Sequence, residues 1–135
     1  MKRTLVLHND VREVPELTAW VDSIAEAGSL LPGLVMSLNL ALEEAVTNVM
    51  LYAYPDGQEG LVEVAAVLEP GKLTFVVTDS GIPFDPTAAP EADTTLGVEE
   101  RPIGGLGIFL VRTIMDIVTY ERRDGKNILT LQKYV

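Results

Sequence analysis

The sequence predicts an α+β fold, a two-layer sandwich with a mixed, mostly antiparallel sheet and helices on one of its faces. Strand-like alternation recurs in pairs around short glycine turns. Two long stretches instead space their apolar residues at helical intervals. The order strand, helix, long helix, two strands, irregular stretch, helix, two strands then gives helices and an antiparallel-rich sheet as two layers.

The elements follow in order. "RTLVLHN" (3–9) reads as a short strand. "VPELTAWVDSIAEAG" (14–28) reads as an amphipathic helix ending near Gly28, with Leu17, Trp20, Val21 and Ile24 on one face. Pro32 opens a long helical pattern that runs to about Tyr54, where Pro55, Asp56 and Gly57 stop it. In "GLVEVAAVLEP" Glu63 and Glu69 fall on one face, and Val62, Val64, Ala66 and Leu68 on the other. "KLTFVVTDSG" alternates too: Leu73, Phe75 and Val77 share a face, and Asp79 is next in that register. Gly71 between these strands suggests a tight hairpin. Residues 80–105 form a long irregular stretch rich in Gly, Pro, Thr and acids, and a loop this long inside a compact domain is usually a functional lid or disordered. "GGLGIFLVRTIMD" opens a helix, and "IVTYERRDGKNILTLQKYV" reads as a hairpin turning at Asp124-Gly125.

Composition narrows the function. The 135 residues fit one domain, 1–135, with a single core. An apolar content of 47% is too high for a disordered chain. No apolar run approaches the ~20 residues of a membrane span, and the apolar stretch after Lys2-Arg3 is too short for a secretory signal. Without cysteine there is no disulfide framework and no thiolate metal site. A cytoplasmic protein that engages no membrane is the expectation. The net charge of −10 argues against a basic nucleic-acid surface. It fits simple solubility and a basic protein partner about equally.

The chemistry gathers in three places. The first is "ALEEAVTNVMLYAYP" (41–55), where two carboxylates and an asparagine interrupt a greasy helix. Leu34, Val35, Leu38, Leu42, Ala45, Val49 and Tyr52 form a broad apolar stripe at about 100° per residue. Glu44 and Asn48, four apart, stack on its shoulder and point into the margin of the core. Glu43 lies on the far side, where solvent is expected. On its own an E-x-x-x-N pair more often ties neighbouring backbone. It also suits a carboxylate base beside an amide oxygen that ligates a hard cation such as Mg²⁺, with phosphates and water completing the shell. The second is "TDSGIPFD": Asp79 ends a strand on its inner face and can accept from an exocyclic amine, with Gly81 admitting a flat ring. Alone it reads better as a common Asp-Ser-Gly turn. The third is "RPIGGLG" (101–107), glycines before an apolar helix whose N–H groups can cradle phosphate, at a spacing that fits neither a P-loop nor GxGxxG and that also makes an ordinary flexible hinge.

All three in this order are far more specific. The chain resembles the ATPase superfamily shared by gyrase, Hsp-type chaperones, sensor histidine kinases and mismatch-repair proteins. "EEAVTN" looks like its N box, "DSGIPFD" its first glycine box and "GGLG" its second. It is most similar to the small anti-sigma factor serine/threonine kinases, through Glu44-Ala45-Val46-Thr47-Asn48, the pair Ala53-Tyr54, and the helix after the second box. That resemblance covers essentially the whole chain. It implies ATP and Mg²⁺ as cofactors, Glu44 as general base, Asn48 on the metal and Asp79 on the adenine amine with Gly81 beneath the ring. Gly104, Gly105, Leu106 and Gly107 would line the phosphates, Arg101 would stand near the terminal phosphate, and Thr130 would support adenine binding. A sigma factor and an anti-anti-sigma antagonist would be the partners of a homodimer that makes no direct nucleic-acid contact.

One position departs from the family. Many members place a histidine before the A-Y pair, and this chain has Tyr52, a phenol that cannot replace an imidazolium electrostatically. The acids Glu91, Asp93, Glu99 and Glu100 of the irregular stretch fit solvated charges better than lid tuning. Two functions compete: a protein kinase that doubles as a binding switch, and a nucleotide-dependent binding module without turnover. Glu44 favours the kinase, since pure binding needs no base. A detached sensor histidine kinase core fits poorly, because His8, the only histidine, sits in a short strand.

Overall fold

The computed structural model describes residues 1–88 and 105–135. Within them the expected segments become β1 (Lys2–His8), α1 (Val14–Ala27), α2 (Pro32–Tyr52), β2 (Leu61–Glu69), β3 (Lys72–Asp79), α3 (Gly105–Ile114), β4 (Ile117–Arg123) and β5 (Lys126–Tyr134). The strands form one sheet in the order β1-β2-β3-β5-β4. Every neighbouring pair among the described strands is antiparallel, so the sheet expected to be mixed contains no parallel pair there. The β4–β5 turn places both Asp124 (φ 54°) and Gly125 (φ 75°) in the left-handed region, as a two-residue type I′ turn requires.

The period of two decides which way the sheet faces. Leu73, Phe75, Val77 and Asp79 are buried on one side of β3, and Lys72, Thr74, Val76 and Thr78 lie half-buried on the other. Each large apolar side chain hidden this way contributes about 1.5–3 kcal/mol. A one-residue slip would turn Phe75 and Asp79 outward together, so the burial of Phe75 also fixes the direction of Asp79.

Helices α1 and α2 close over that inner face. Leu17, Val21, Ile24 and Ala25 of α1 are buried, and Trp20 packs against Phe75 with ring centroids 6.2 Å apart. Helix α2 buries Leu38, Ala41, Leu42, Ala45, Val46, Val49 and Met50. This apolar surface is broader than the expected stripe and displaced from it: Ala41, Val46 and Met50 join the core, while Tyr52 remains 37% exposed. The displacement follows from α2 packing against α1, α3 and the sheet at once. By length and composition α2 is apolar enough to cross a membrane, but its buried residues belong to the core cluster with Leu7, Val64 and Leu131. The carboxylate of Glu43, expected in solvent, is half-buried and accepts from Thr18 Oγ1 at 2.9 Å, which ties α2 to α1.

Candidate functional site

The site begins where β3 ends. Asp79 is 3% exposed and sits directly opposite Asn127 of β5, itself 3% exposed. Asp79 Oδ1 accepts from the Gly81 N–H at 2.8 Å and from Asn127 Nδ2 at 2.9 Å. Its other oxygen, Oδ2, is buried and has no hydrogen-bond partner among the described residues. Burial pushes the Asp79 carboxyl above its ordinary value, against the donors of Asn127 and Gly81 and the positive charge of Arg122. A buried carboxylate oxygen without a donor is costly in a free protein. It is also what an exocyclic amine would satisfy.

The end of α2 clamps the loop that follows. The Ala53 carbonyl accepts from the Ile82 N–H at 2.7 Å. A Cβ at Gly81 would stand 2.1 Å from that same carbonyl oxygen, so only glycine lets the loop lie against the helix end. Gly81 was expected to leave room for a flat ring; the space it leaves is taken by Ala53. Tyr54 is 5% exposed, donates to the Leu61 carbonyl at 2.7 Å and accepts from the Ser80 N–H at 3.0 Å. The A-Y pair is thus a mechanical joint between α2, β2 and the loop after β3. Further along, the Asp85 side chain accepts from the Thr87 N–H, Arg112 of α3 donates to the Thr87 carbonyl at 2.6 Å, and Arg122 of β4 donates to the Gly81 carbonyl at 2.9 Å.

Glu44 and Asn48 lie half-buried on α2, between the buried pairs Ala41-Leu42, Ala45-Val46 and Val49-Met50. At 1.5 Å per residue, Asn48 stands ~7.5 Å and Glu44 ~13.5 Å along the axis from Ala53, where the loop docks. Tyr52 continues the row, with its ring 6.0 Å from that of Phe84. An amide oxygen such as that of Asn48 is a hard donor that suits Mg²⁺ whose other ligands are phosphates and water.

The structure therefore brings Asp79, Gly81 and the end of the Glu44–Asn48 helix together. Gly105 opens α3, and the backbone of Leu106 and Gly107 forms its first turn. Arg101, Gly104 and the acids at 91, 93, 99 and 100 lie outside the described residues. Thr130 is a correction. It pairs with Val76, on the face of the sheet opposite to Asp79, because β5 buries 127, 129 and 131. Asn127 holds the place beside Asp79 instead. Its signal was present in the sequence: Asn127 is the polar residue in register with the apolar Leu129 and Leu131, as Asp79 is with Phe75 and Val77. His8 is exposed and pairs with Glu13 at 3.0 Å, apart from these groups.

Residues 7–133 match the family model described as the histidine kinase-like ATPase domain. The chain is 27% identical over 131 residues to the serine/threonine-protein kinase BtrW of Bordetella bronchiseptica, covering 97% of this chain and 92% of that one. It is 30% identical over 105 residues to the serine-protein kinase RsbW of Listeria monocytogenes, and 31% identical over 105 residues to RsbW of Halalkalibacterium halodurans. Each alignment covers 75% of this chain, but only 66% and 63% of those two relatives' length. The solved structure of the RsbU and RsbW domains of a Mycobacterium tuberculosis protein superposes with a TM-score of 0.71 at 15% identity, over 99% of this chain and 32% of that one.

Proposed function

The chain belongs to the histidine kinase-like ATPase family, and from that premise we propose that it is an ATP-dependent serine/threonine protein kinase of the anti-sigma type. In this reading it sequesters a sigma factor and phosphorylates an anti-anti-sigma antagonist. The observation that carries the nucleotide part is the orphaned buried oxygen of Asp79 at the loop clamped to α2. The kinase part is supported by the names of the relatives.

The residues divide the work. Asp79 Oδ2 accepts from the adenine amine. The backbone N–H groups at the start of α3, with Gly105 and Gly107, face phosphate. Asn48 holds Mg²⁺, which supplies charge neutralisation on the phosphates when bound. Glu44 takes the proton of the incoming serine or threonine hydroxyl as its oxygen bonds to the terminal phosphorus and the bond to ADP breaks. Arg101 belongs beside the terminal phosphate. The phosphoryl group adds about −1.5 to −2 charge to the antagonist, which an acidic kinase surface repels.

Tyr52 favours a second reading, a nucleotide-dependent switch that binds partners without turnover. One set of assays separates the two. With a candidate antagonist and labelled ATP, Glu44→Gln is expected to lose ~10²–10⁴ in transfer rate while keeping ATP affinity. Asn48→Ala is expected to lose both. A wild-type protein that binds ATP and antagonist yet transfers no phosphate would leave the switch as the better account.

A further inference from the structure

Asn127 is a polar side chain placed where a core strand would carry a leucine, and it uses its full hydrogen-bonding capacity. Its Oδ1 accepts from the Phe84 N–H at 3.1 Å and from Tyr120 Oη at 2.5 Å. Its Nδ2 donates to the Ile82 carbonyl at 2.8 Å and to Asp79 Oδ1 at 2.9 Å. Two of these partners have a single polarity. A backbone N–H can only donate and a backbone carbonyl can only accept, so Phe84 and Ile82 decide which end of the amide is oxygen. The remaining amide proton then has one place to go, Asp79 Oδ1.

We infer that Asn127 is the positioning residue that sets base selectivity, by holding one Asp79 oxygen as an acceptor so that the other faces the base as an acceptor only. This rests on the nucleotide reading above. With Oδ1 engaged by Gly81 and Asn127, the buried Oδ2 is the carboxylate atom without a partner among the described residues. An acceptor there takes a 6-amino purine and opposes the 6-oxo oxygen of inosine or guanine. The same amide bonds β3, β5, Tyr120 of β4 and the loop at Ile82 and Phe84, so the position of Oδ2 and the path of the loop are set together. The ionisable groups acting on this cluster are Asp79 itself, Arg122 and Tyr120 from β4, and Asp85 from the loop.

The test compares ATP with ITP, which carry the same phosphates, so their affinity ratio across pH reports the base edge alone. Wild-type protein is expected to prefer ATP at least about 100-fold at pH 8, and to lose preference on acidification as Asp79 protonates. Asn127→Asp keeps the acceptor for Phe84 and Tyr120 but sets an oxygen against Asp79 Oδ1. The two carboxylates repel one another when both are ionised at pH 8, and a proton shared between them towards pH 6 restores the link that the amide made. The ratio is expected to fall at least about tenfold at pH 8 and to recover towards pH 6, a slope opposite to the wild type. Should that variant not fold, Tyr120→Phe removes one bond from the amide, and a three- to tenfold loss of the ratio is expected. Wild-type selectivity and wild-type slope in the folded variant overturn the role of Asn127. A wild-type protein that binds neither nucleotide overturns the reading beneath it as well.

Discussion

Among the described residues Asp79 carries one oxygen with two donors and one with none, inside the core. Its folded pKa lies above the ordinary 3.8, chiefly through burial. The native state therefore holds the proton more tightly than the unfolded chain. The stability this group contributes is complete below pH ~3.8 and is lost as pH rises through the folded value. At neutral pH the ionised carboxylate is a net cost to the empty protein. Asp79→Asn keeps an oxygen for the Gly81 and Asn127 donors and removes the charge. Its melting temperature at pH 7 is expected to equal or exceed that of wild type, with the advantage shrinking on acidification, while ATP binding is lost. A clear drop in melting temperature at pH 7 would mean that the carboxylate stabilises the empty fold. Asp79 was legible in the sequence because it continues the alternation of Leu73, Phe75 and Val77. Thr130 was misplaced because the partner of a strand residue depends on register between β3 and β5, which are not consecutive in the chain.

At the scale of elements, the chemistry depends on how firmly the end of α2 meets the loop after β3. Gly81→Ala places a methyl 2.1 Å from the Ala53 oxygen and strains the Ile82 N–H bond beside it. Overpacking against backbone typically costs about 1–3 kcal/mol. The expected result is a lower urea midpoint with an unchanged m-value, together with weaker ATP binding. Tyr54→Phe removes the hydroxyl that serves Leu61 and Ser80, and leaves two sheltered backbone groups short of a partner. It is expected to cost about 1–3 kcal/mol; a variant as stable as wild type would show that water replaces the phenol. Sequence patterns located both elements to within two residues at α2 (Pro32 to about Tyr54 expected, Pro32–Tyr52 observed). The joint between them was not legible, since nothing local says which carbonyl the Ile82 N–H, 29 residues on from Ala53, will meet. Glu43 fails for the same reason: its partner, Thr18, lies on another helix.

Across the whole molecule, fold class was readable because β-alternation, glycine turns and helical periodicity agreed with one another at each segment. Strand order was not, because β5 inserts between β3 and β4, a choice made by long-range burial. That order matters for ligand coupling. Asp79 ends β3, Asn127 begins the strand beside it, Asn48 lies on α2 and Gly105 opens α3, so a nucleotide that engages all of them bridges the sheet to two helices. Such a ligand binds the folded state and not the unfolded chain. At 100 times its dissociation constant it adds about 2.7 kcal/mol. For a chain of this length that raises the melting temperature by roughly 10 °C. The rise should require adenine, so Asp79→Asn should show none at the same ATP concentration. It should also require the metal, so Asn48→Ala should respond equally weakly with Mg²⁺ and with a chelator. An equal rise for wild type with and without Mg²⁺ would place the metal off Asn48. A rise retained by Asp79→Asn would place the base away from β3, and with it the site that the buried oxygen marks.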